Sequence, residues 1–176
     1  MTMQMPVAMD EEILRFAYGE TSLGAMLVAE SGRGIVALFI SDDRAKLQRD
    51  LADAFPEAKL VSDEAGLEQT VKKAAALIDA PWLKNDLVLD LRGSPVELAV
   101  WHALQDIPVG QTRTYGEIAK GLPIAATAQD VGAACAANRI AVAIPCHRVV
   151  KSDGSISGYR WGVQRKRRLI NKEGVR

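Results

Sequence analysis

Apolar positions change their rhythm along this chain. In "ILRFAYG", "LGAMLVAES" and "GIVALFIS" they alternate or run short, separated by the polar or glycine breaks "ETS" and "SGRG". A period near two predicts a three-stranded antiparallel meander over residues 13–40. "DDRAKLQRDLADAF" then spaces its apolar residues at helical intervals and opens on two acids, predicting a helix with an acidic first turn. "EAKLVS" predicts a short strand, and "EAGLEQTVKKAAALID" an amphipathic helix. Residues 81–93, "PWLKNDLVLDLRG", hold a turn, a short apolar strand and a glycine. The expected junction lies there, between a domain over 1–88 and another over 89–176.

The second half is patterned for helices. "SPVELAVWHALQDI" puts Ser94 at an N-cap, Pro95 at the first helical position and Glu97 three residues after the cap; Pro108 and Gly110 end the run. "TYGEIAKGL" predicts a short helix capped by Thr114, and "TAQDVGAACAAN" a second capped by Thr127, with "PIAA" turning between them. Two short helices joined by a brief turn form a helix-turn-helix pattern, which ordinary helical cores share. "IAVAIPCHRVV" and the glycine-turned "KSDGSISGYRWG" predict loops or short extended pieces, and a basic helix closes the chain from about Val163 to Glu173. The mixture predicts an α+β protein.

Composition narrows the setting. The chain has 176 residues, 48% of them hydrophobic, and its mean hydropathy is near zero, which fits a globular protein. No apolar run is long enough to cross a membrane, and the opening "MTMQMPVAMDEEIL" has no basic or apolar region of a secretory leader. Two cysteines, Cys135 and Cys146, do not make a disulfide framework, so a reducing cytoplasm is the expected compartment. Net charge is zero, but residues 1–88 carry nine bases and fifteen acids, and residues 89–176 thirteen and seven. A basic half suits a polyanionic partner; it equally suits a solvated helix face.

Chemistry gathers at one place. Cys146 and His147 are adjacent, follow Pro145, and lie with Arg148 inside an apolar run. Pro145 pushes Ile144 away from helical angles. A buried cysteine often behaves as a small hydrophobe. Against that, charged residues inside an apolar run need partners and a reason. The four Cys and His residues, at 102, 135, 146 and 147, match no zinc spacing, so no metal is expected. A nucleophilic thiol with a neighbouring base remains.

"IPCHRVV" resembles the active-site motif of the O6-alkylguanine-DNA alkyltransferase family. The likeness continues through "LGAMLVAESGRGIVALFISDD", "LDLRGSPVELAVWHALQDIPVGQTRTYGEIAKGL", "ACAANRIAVAIPCHRVV" and "DGSISGYRWGVQRKRRLI". It spans nearly the full length, and is nearest to the C-terminal part of the Ada-type members. The resemblance implies a ribonuclease-H-like first domain with a three-stranded sheet, and a second domain bearing a DNA-binding helix-turn-helix and the reactive cysteine. It implies repair of O6-methylguanine, and less readily O4-methylthymine, after the nucleotide is flipped out from the minor groove. The partner would be double-stranded alkylated DNA, with no membrane and no cofactor. The protein would be monomeric and able to cluster on DNA.

Residue by residue, the resemblance makes Cys146 the acceptor, His147 its base through a water, and Glu173 the group that orients the histidine. Tyr115 would help extrude the nucleotide and protonate the leaving guanine. Asn138 would shape the turn before the active segment. Val149, Ser157, Tyr159 and Arg160 would belong to the base pocket, with Lys166 behind its loop. Thr114, Tyr115, Thr127, Ala128, Gln129, Gly132, Ala133 and Ala136 would face DNA, and Ala134 would share the small-residue surface. Basic side chains, Arg148 among them, would meet phosphates. Taken without the family, Glu173 is an ordinary surface acid, Asn138 a left-handed helix end, and Tyr115, Trp101 and Trp161 packing residues. His102 and Cys135 read as packing in either case.

A methyl thioether is a poor leaving group, so the protein would act once. The family places an arginine where this chain has Gln129, followed by Asp130, whose charge disfavours DNA. Non-catalytic alkyltransferase-like binding, a plain helix-turn-helix regulator and a thiol hydrolase are the competing classes. Stoichiometric alkylation of Cys146 separates all three from single-use transfer.

Overall fold

The structure, a computed structural model, describes residues 11–174. The opening ten residues, read above for a leader, and Arg176 of the basic tail lie outside the described residues. Strands β1 (Ile13–Thr21), β2 (Gly24–Glu30) and β3 (Ile35–Ser41) form the expected meander. The sheet has four strands rather than three. β4 (Lys59–Ser62) pairs parallel to β1, giving the order β3-β2-β1-β4. The crossover that lets β4 run in the same direction as β3 and β1 is helix α1 (Arg44–Ala54), which packs on β2 and β3. Helix α2 (Glu68–Asp79) packs on β1 and β2.

Local chemistry moved several expected boundaries. The two acids do not enter the first turn of α1; Asp43 caps it instead, accepting from Ala45 N at 3.0 Å. α2 starts four residues later than its pattern, because Asp63 accepts from Gly66 N at 2.9 Å and holds a turn there. The strand expected within 81–93 shrinks to one bridge, Leu89 to Ile35. Gly34, at φ 151°, permits it: a Cβ there would lie 2.7 Å from the Val88 carbonyl oxygen.

The second half follows its caps closely. Helices α3 (Pro95–Gln105), α4 (Tyr115–Gly121) and α5 (Ala128–Ala137) begin with reciprocal capping boxes at Ser94, Thr114 and Thr127. β5 (Arg113–Thr114) pairs parallel with β6 (Val149–Val150), and α6 (Val163–Lys172) closes the described chain, with Glu173 as its C-cap.

The halves share one hydrophobic core. β3 lies at the sheet edge, yet every residue from Ile35 to Ile40 is buried. The segment before Cys146 covers that edge: Leu38 N donates to Arg139 O, and Ala141 N to Leu38 O, each at 2.9 Å. The basic helix also docks inward. Arg165 Nε donates to Leu23 O at 2.8 Å, Arg168 to Ser22 O at 2.6 Å, and Lys172 Nζ to Ser22 Oγ at 2.6 Å. Part of the positive charge therefore meets the acidic half of its own chain rather than a free face.

Candidate active site

Three elements converge on Cys146. It opens a single 3-10 turn, Cys146–Arg148, held by Arg148 N donating to Pro145 O at 2.9 Å. The β5–β6 pairing brings Thr114 and the start of α4 alongside this turn. Helix α5 is fixed by the Trp101 indole, which donates to Ala134 O at 2.9 Å. Before the turn, Val142 holds φ 67°, the left-handed region that β-branched residues avoid.

Asn138 is the hinge. It is fully buried, and its Nδ2 lies 3.0 Å from Ile144 O and 3.3 Å from Cys146 Sγ, while its Oδ1 accepts from Ile140 N at 2.9 Å. Its φ and ψ of −60° and 130° rule out the left-handed helix end that its position alone suggests. One side chain thus ties the end of α5 to the loop that presents the sulfur.

Beneath the turn lies a closed ionic array. His147 Nε2 is 2.8 Å from Glu173 Oε2, and Arg148 binds both carboxylate oxygens at 2.9 Å while donating to Ile107 O at 2.8 Å. Burial alone would raise the Glu173 pKa, but hydrogen bonds from His147 and Arg148 outweigh it and hold the carboxyl at about 2. The ionised carboxylate only accepts, so Nε2 of His147 carries the proton and Nδ1 keeps a lone pair. Nδ1 is buried without a hydrogen-bond partner among the described residues. Burial lowers the His147 pKa despite Glu173, keeping the ring neutral. Burial also pushes the Cys146 thiol up to about 11, opposed by the Asn138 hydrogen bond and Lys166. At neutral pH the resting group is a thiol.

Above the sulfur is a cavity of about 380 Å³, lined by Tyr115, Gly132, Cys135, Cys146, Tyr159 and Arg160 among others. The Tyr115 hydroxyl hydrogen-bonds Ser157 Oγ, which accepts from Lys166 Nζ at 2.9 Å. Lys166 is buried, and burial lowers its pKa. The Tyr159 hydroxyl is buried without a partner among the described residues.

The structure brings Cys146, His147, Glu173, Tyr115, Asn138, Tyr159, Arg160 and Lys166 together. Ser157 and Val149 stand behind the cavity wall, through the Tyr115 bond and the β5–β6 pairing. Thr127, Ala128, Gln129, Ala133 and Ala136 are exposed on α5, with Gly132 half-exposed and Thr114 half-buried at its own cap. Two expectations are corrected. Arg148 cannot meet a phosphate, because it is 7% exposed and bound to Glu173 and Ile107. Ala134 is 1% exposed and faces the core. Asp130 is engaged in the Thr127 capping box. Cys135, read as packing, lines the cavity instead, and burial pushes its thiol up to about 12. It lies three residues after Gly132, on the same helical face.

Residues 95–175 match the family described as 6-O-methylguanine DNA methyltransferase, DNA binding domain. The chain is 40% identical over 121 residues to the methylated-DNA–protein-cysteine methyltransferase of Candida albicans, covering 68% of each chain. It is 41% identical over 160 residues to the bifunctional transcriptional activator/DNA repair enzyme Ada of Escherichia coli, covering 91% of this chain and 45% of that one. It therefore spans less than half of the Ada relative. Among solved structures it superposes on Mycobacterium tuberculosis O6-methylguanine methyltransferase with a TM-score of 0.76 and 31% identity, covering 92% of this chain and 93% of that one. The same protein in complex with DNA superposes with a TM-score of 0.74, at 31% identity and 92% coverage of both chains. The fold is the one these methyltransferase structures share. The chain belongs to the methylated-DNA–protein-cysteine methyltransferase family.

Proposed function

We propose that this chain repairs double-stranded DNA by moving the alkyl group of O6-methylguanine, and less readily of O4-methylthymine, irreversibly onto Cys146. The observation that carries this reading is a thiol at the floor of a base-sized cavity, beside a buried histidine whose other nitrogen is held by a carboxylate. Helices α4 and α5 act as a helix-turn-helix that enters the minor groove, and the first half is a ribonuclease-H-like support. Thr114, Thr127, Ala128, Ala133 and Ala136 lie against the strand, where small side chains permit close approach. Gln129 holds the stack open in place of the family's arginine. The flipped nucleotide enters between Tyr115 and Tyr159.

Chemistry then follows from the pKa directions. The thiol proton passes through a water to Nδ1 of His147, and Glu173 stabilises the imidazolium that forms. The thiolate attacks the methyl carbon in line; the S–C bond forms as the C–O6 bond breaks. Tyr115 gives a proton to the leaving guanine and is reprotonated through Ser157. The thioether is a poor leaving group, so each molecule acts once.

A duplex carrying one O6-methylguanine, mixed with limiting protein and followed by peptide mass analysis, tests this. One methyl on Cys146 per molecule, after which reaction stops, is the expected result. Lesion binding with Cys146 unmodified would overturn transfer in favour of recognition alone, and repeated turnover would indicate a hydrolase.

A further inference from the structure

Among the described residues, two buried side-chain polar atoms lack a hydrogen-bond partner: Nδ1 of His147 and the hydroxyl of Tyr159. Their rings meet edge to face, with centroids 6.5 Å apart and planes at 78°. Leaving a buried polar atom unsatisfied is costly, so two on neighbouring rings call for a common cause. Both rings are held in place by other contacts. His147 Nε2 is bound to Glu173. The Tyr159 ring lines the base cavity and packs edge-on against Trp161, with centroids 5.4 Å apart, while its hydroxyl is enclosed.

The two atoms offer complementary chemistry. Nδ1 has a lone pair and only accepts, because Nε2 holds the proton. The Tyr159 hydroxyl keeps its proton, since burial first, and then the nearby Cys146 and Glu173, push its pKa well up. Neither atom bonds the other directly. A group joining them must donate to Nδ1 and accept from the tyrosine, and a water molecule does both. Cys146 completes the set. Its sulfur already accepts from Asn138 Nδ2 at 3.3 Å, which leaves its S–H to donate.

We propose that the Tyr159 hydroxyl holds the water that relays the Cys146 proton to His147, so that Tyr159 is a positioning residue for thiolate formation as well as a wall of the base cavity. This rests on the alkyl-transfer reading above. The water accepts from Tyr159 O–H and Cys146 S–H and donates to Nδ1. As the relay runs, the S–H proton passes to the water and a water proton passes to Nδ1. The products are a Cys146 thiolate, a His147 imidazolium against Glu173, and water again. Tyr159 keeps its own proton throughout. Afterwards the water accepts from Nδ1–H and Tyr159 and donates to the thiolate, so every bond of the set survives the transfer.

The test uses the full chain in single-turnover reactions on a duplex carrying one O6-methylguanine, with lesion-duplex affinity measured separately. Tyr159→Phe removes the hydroxyl and keeps the ring. It is expected to lower the transfer rate at saturating protein about tenfold, the effect of losing one hydrogen bond, with affinity within about twofold of wild type. His147→Gln supplies the second arm. In that background Tyr159→Phe is expected to cost less than about twofold, because the relay it serves is already gone. A hydroxyl with a merely structural role would cost the same in both backgrounds, and that result overturns the proposal. So does an unchanged saturated rate in Tyr159→Phe, or a loss of affinity alone, which would set the hydroxyl to work on the base or the DNA. Wild-type protein that transfers no methyl would overturn the alkyl-transfer reading itself.

Discussion

The two halves treat ionisable groups in opposite ways. In the first, charge stays at the surface: Arg15 pairs with Glu30 and Asp63, with its side chain 41% exposed. In the second, His147 and Glu173 side chains have no exposure, and Arg148 and Lys166 are nearly as enclosed. Surface pairs are solvated whether or not they meet, so each contributes little. Enclosed charges hold only as a complete set. The first half can therefore be altered residue by residue, whereas the second holds its reactive centre as one unit.

Removing the proposed nucleophile has the largest expected effect. Cys146→Ala should abolish alkyl transfer, while Cys135→Ala, on the wall of the same cavity, should still take one methyl per molecule on Cys146. Peptide mass analysis after incubation with O6-methylguanine DNA reads both. A methyl retained by the Cys146→Ala protein would place the acceptor elsewhere.

Breaking the enclosed array comes next. Glu173→Ala strands Arg148 in the core and should reduce stability by about 3–5 kcal/mol. Arg15→Ala, which breaks two surface pairs, should stay below about 1 kcal/mol. Denaturant unfolding of both variants measures the contrast. Equal losses would mean that burial does not separate the halves.

Acid should reach the second half first. The folded His147 pKa lies below its ordinary 6.5, and Glu173 is held at about 2 rather than 4.5. Both values are depressed, so the unfolded chain binds the extra protons. Stability from His147 is complete above pH 6.5 and is lost as pH falls through its folded pKa. That from Glu173 is lost between 4.5 and about 2. The proposed mechanism needs neutral His147, so methyl transfer should fall over the same first window. Transfer that rises on acidification would remove His147 as the base.

How much of this the sequence disclosed follows the same division. The meander and the three capping boxes depend on neighbours in the chain, and period-two alternation with Ser94, Thr114 and Thr127 located them. β4 was visible as a strand, but its parallel place beside β1 depends on a helical crossover that no local pattern encodes. The core of the site was legible through one heptapeptide and its family resemblance. Arg148 was misplaced because its position says only that it is basic; the carboxylate that claims it lies 25 residues away. Cys135 was missed because a cysteine in an alanine-rich helix is ordinary packing until the cavity beside it is seen.

The smallest expected effect concerns Gln129, where the family resemblance implies an arginine. Gln129 sits at the start of α5, and the neighbouring carboxylate is already committed to the helix cap: Thr127 N donates to Asp130 Oδ2 at 2.9 Å. That hydrogen bond fixes the acid but leaves its charge beside the proposed DNA face. Gln129→Arg would restore a cation there. One added phosphate contact releases about 0.9 of a counterion, so lesion-duplex affinity should rise roughly eightfold at ~0.1 M salt, with a salt slope steeper by about one. If the glutamine already holds the opened stack, the transfer rate at saturating protein should change little, and the gain should appear in binding alone. A gain in saturated rate would mean that extrusion limits the natural protein. No gain in affinity or rate would show that position 129 does not touch DNA, and that α5 approaches the duplex by another face.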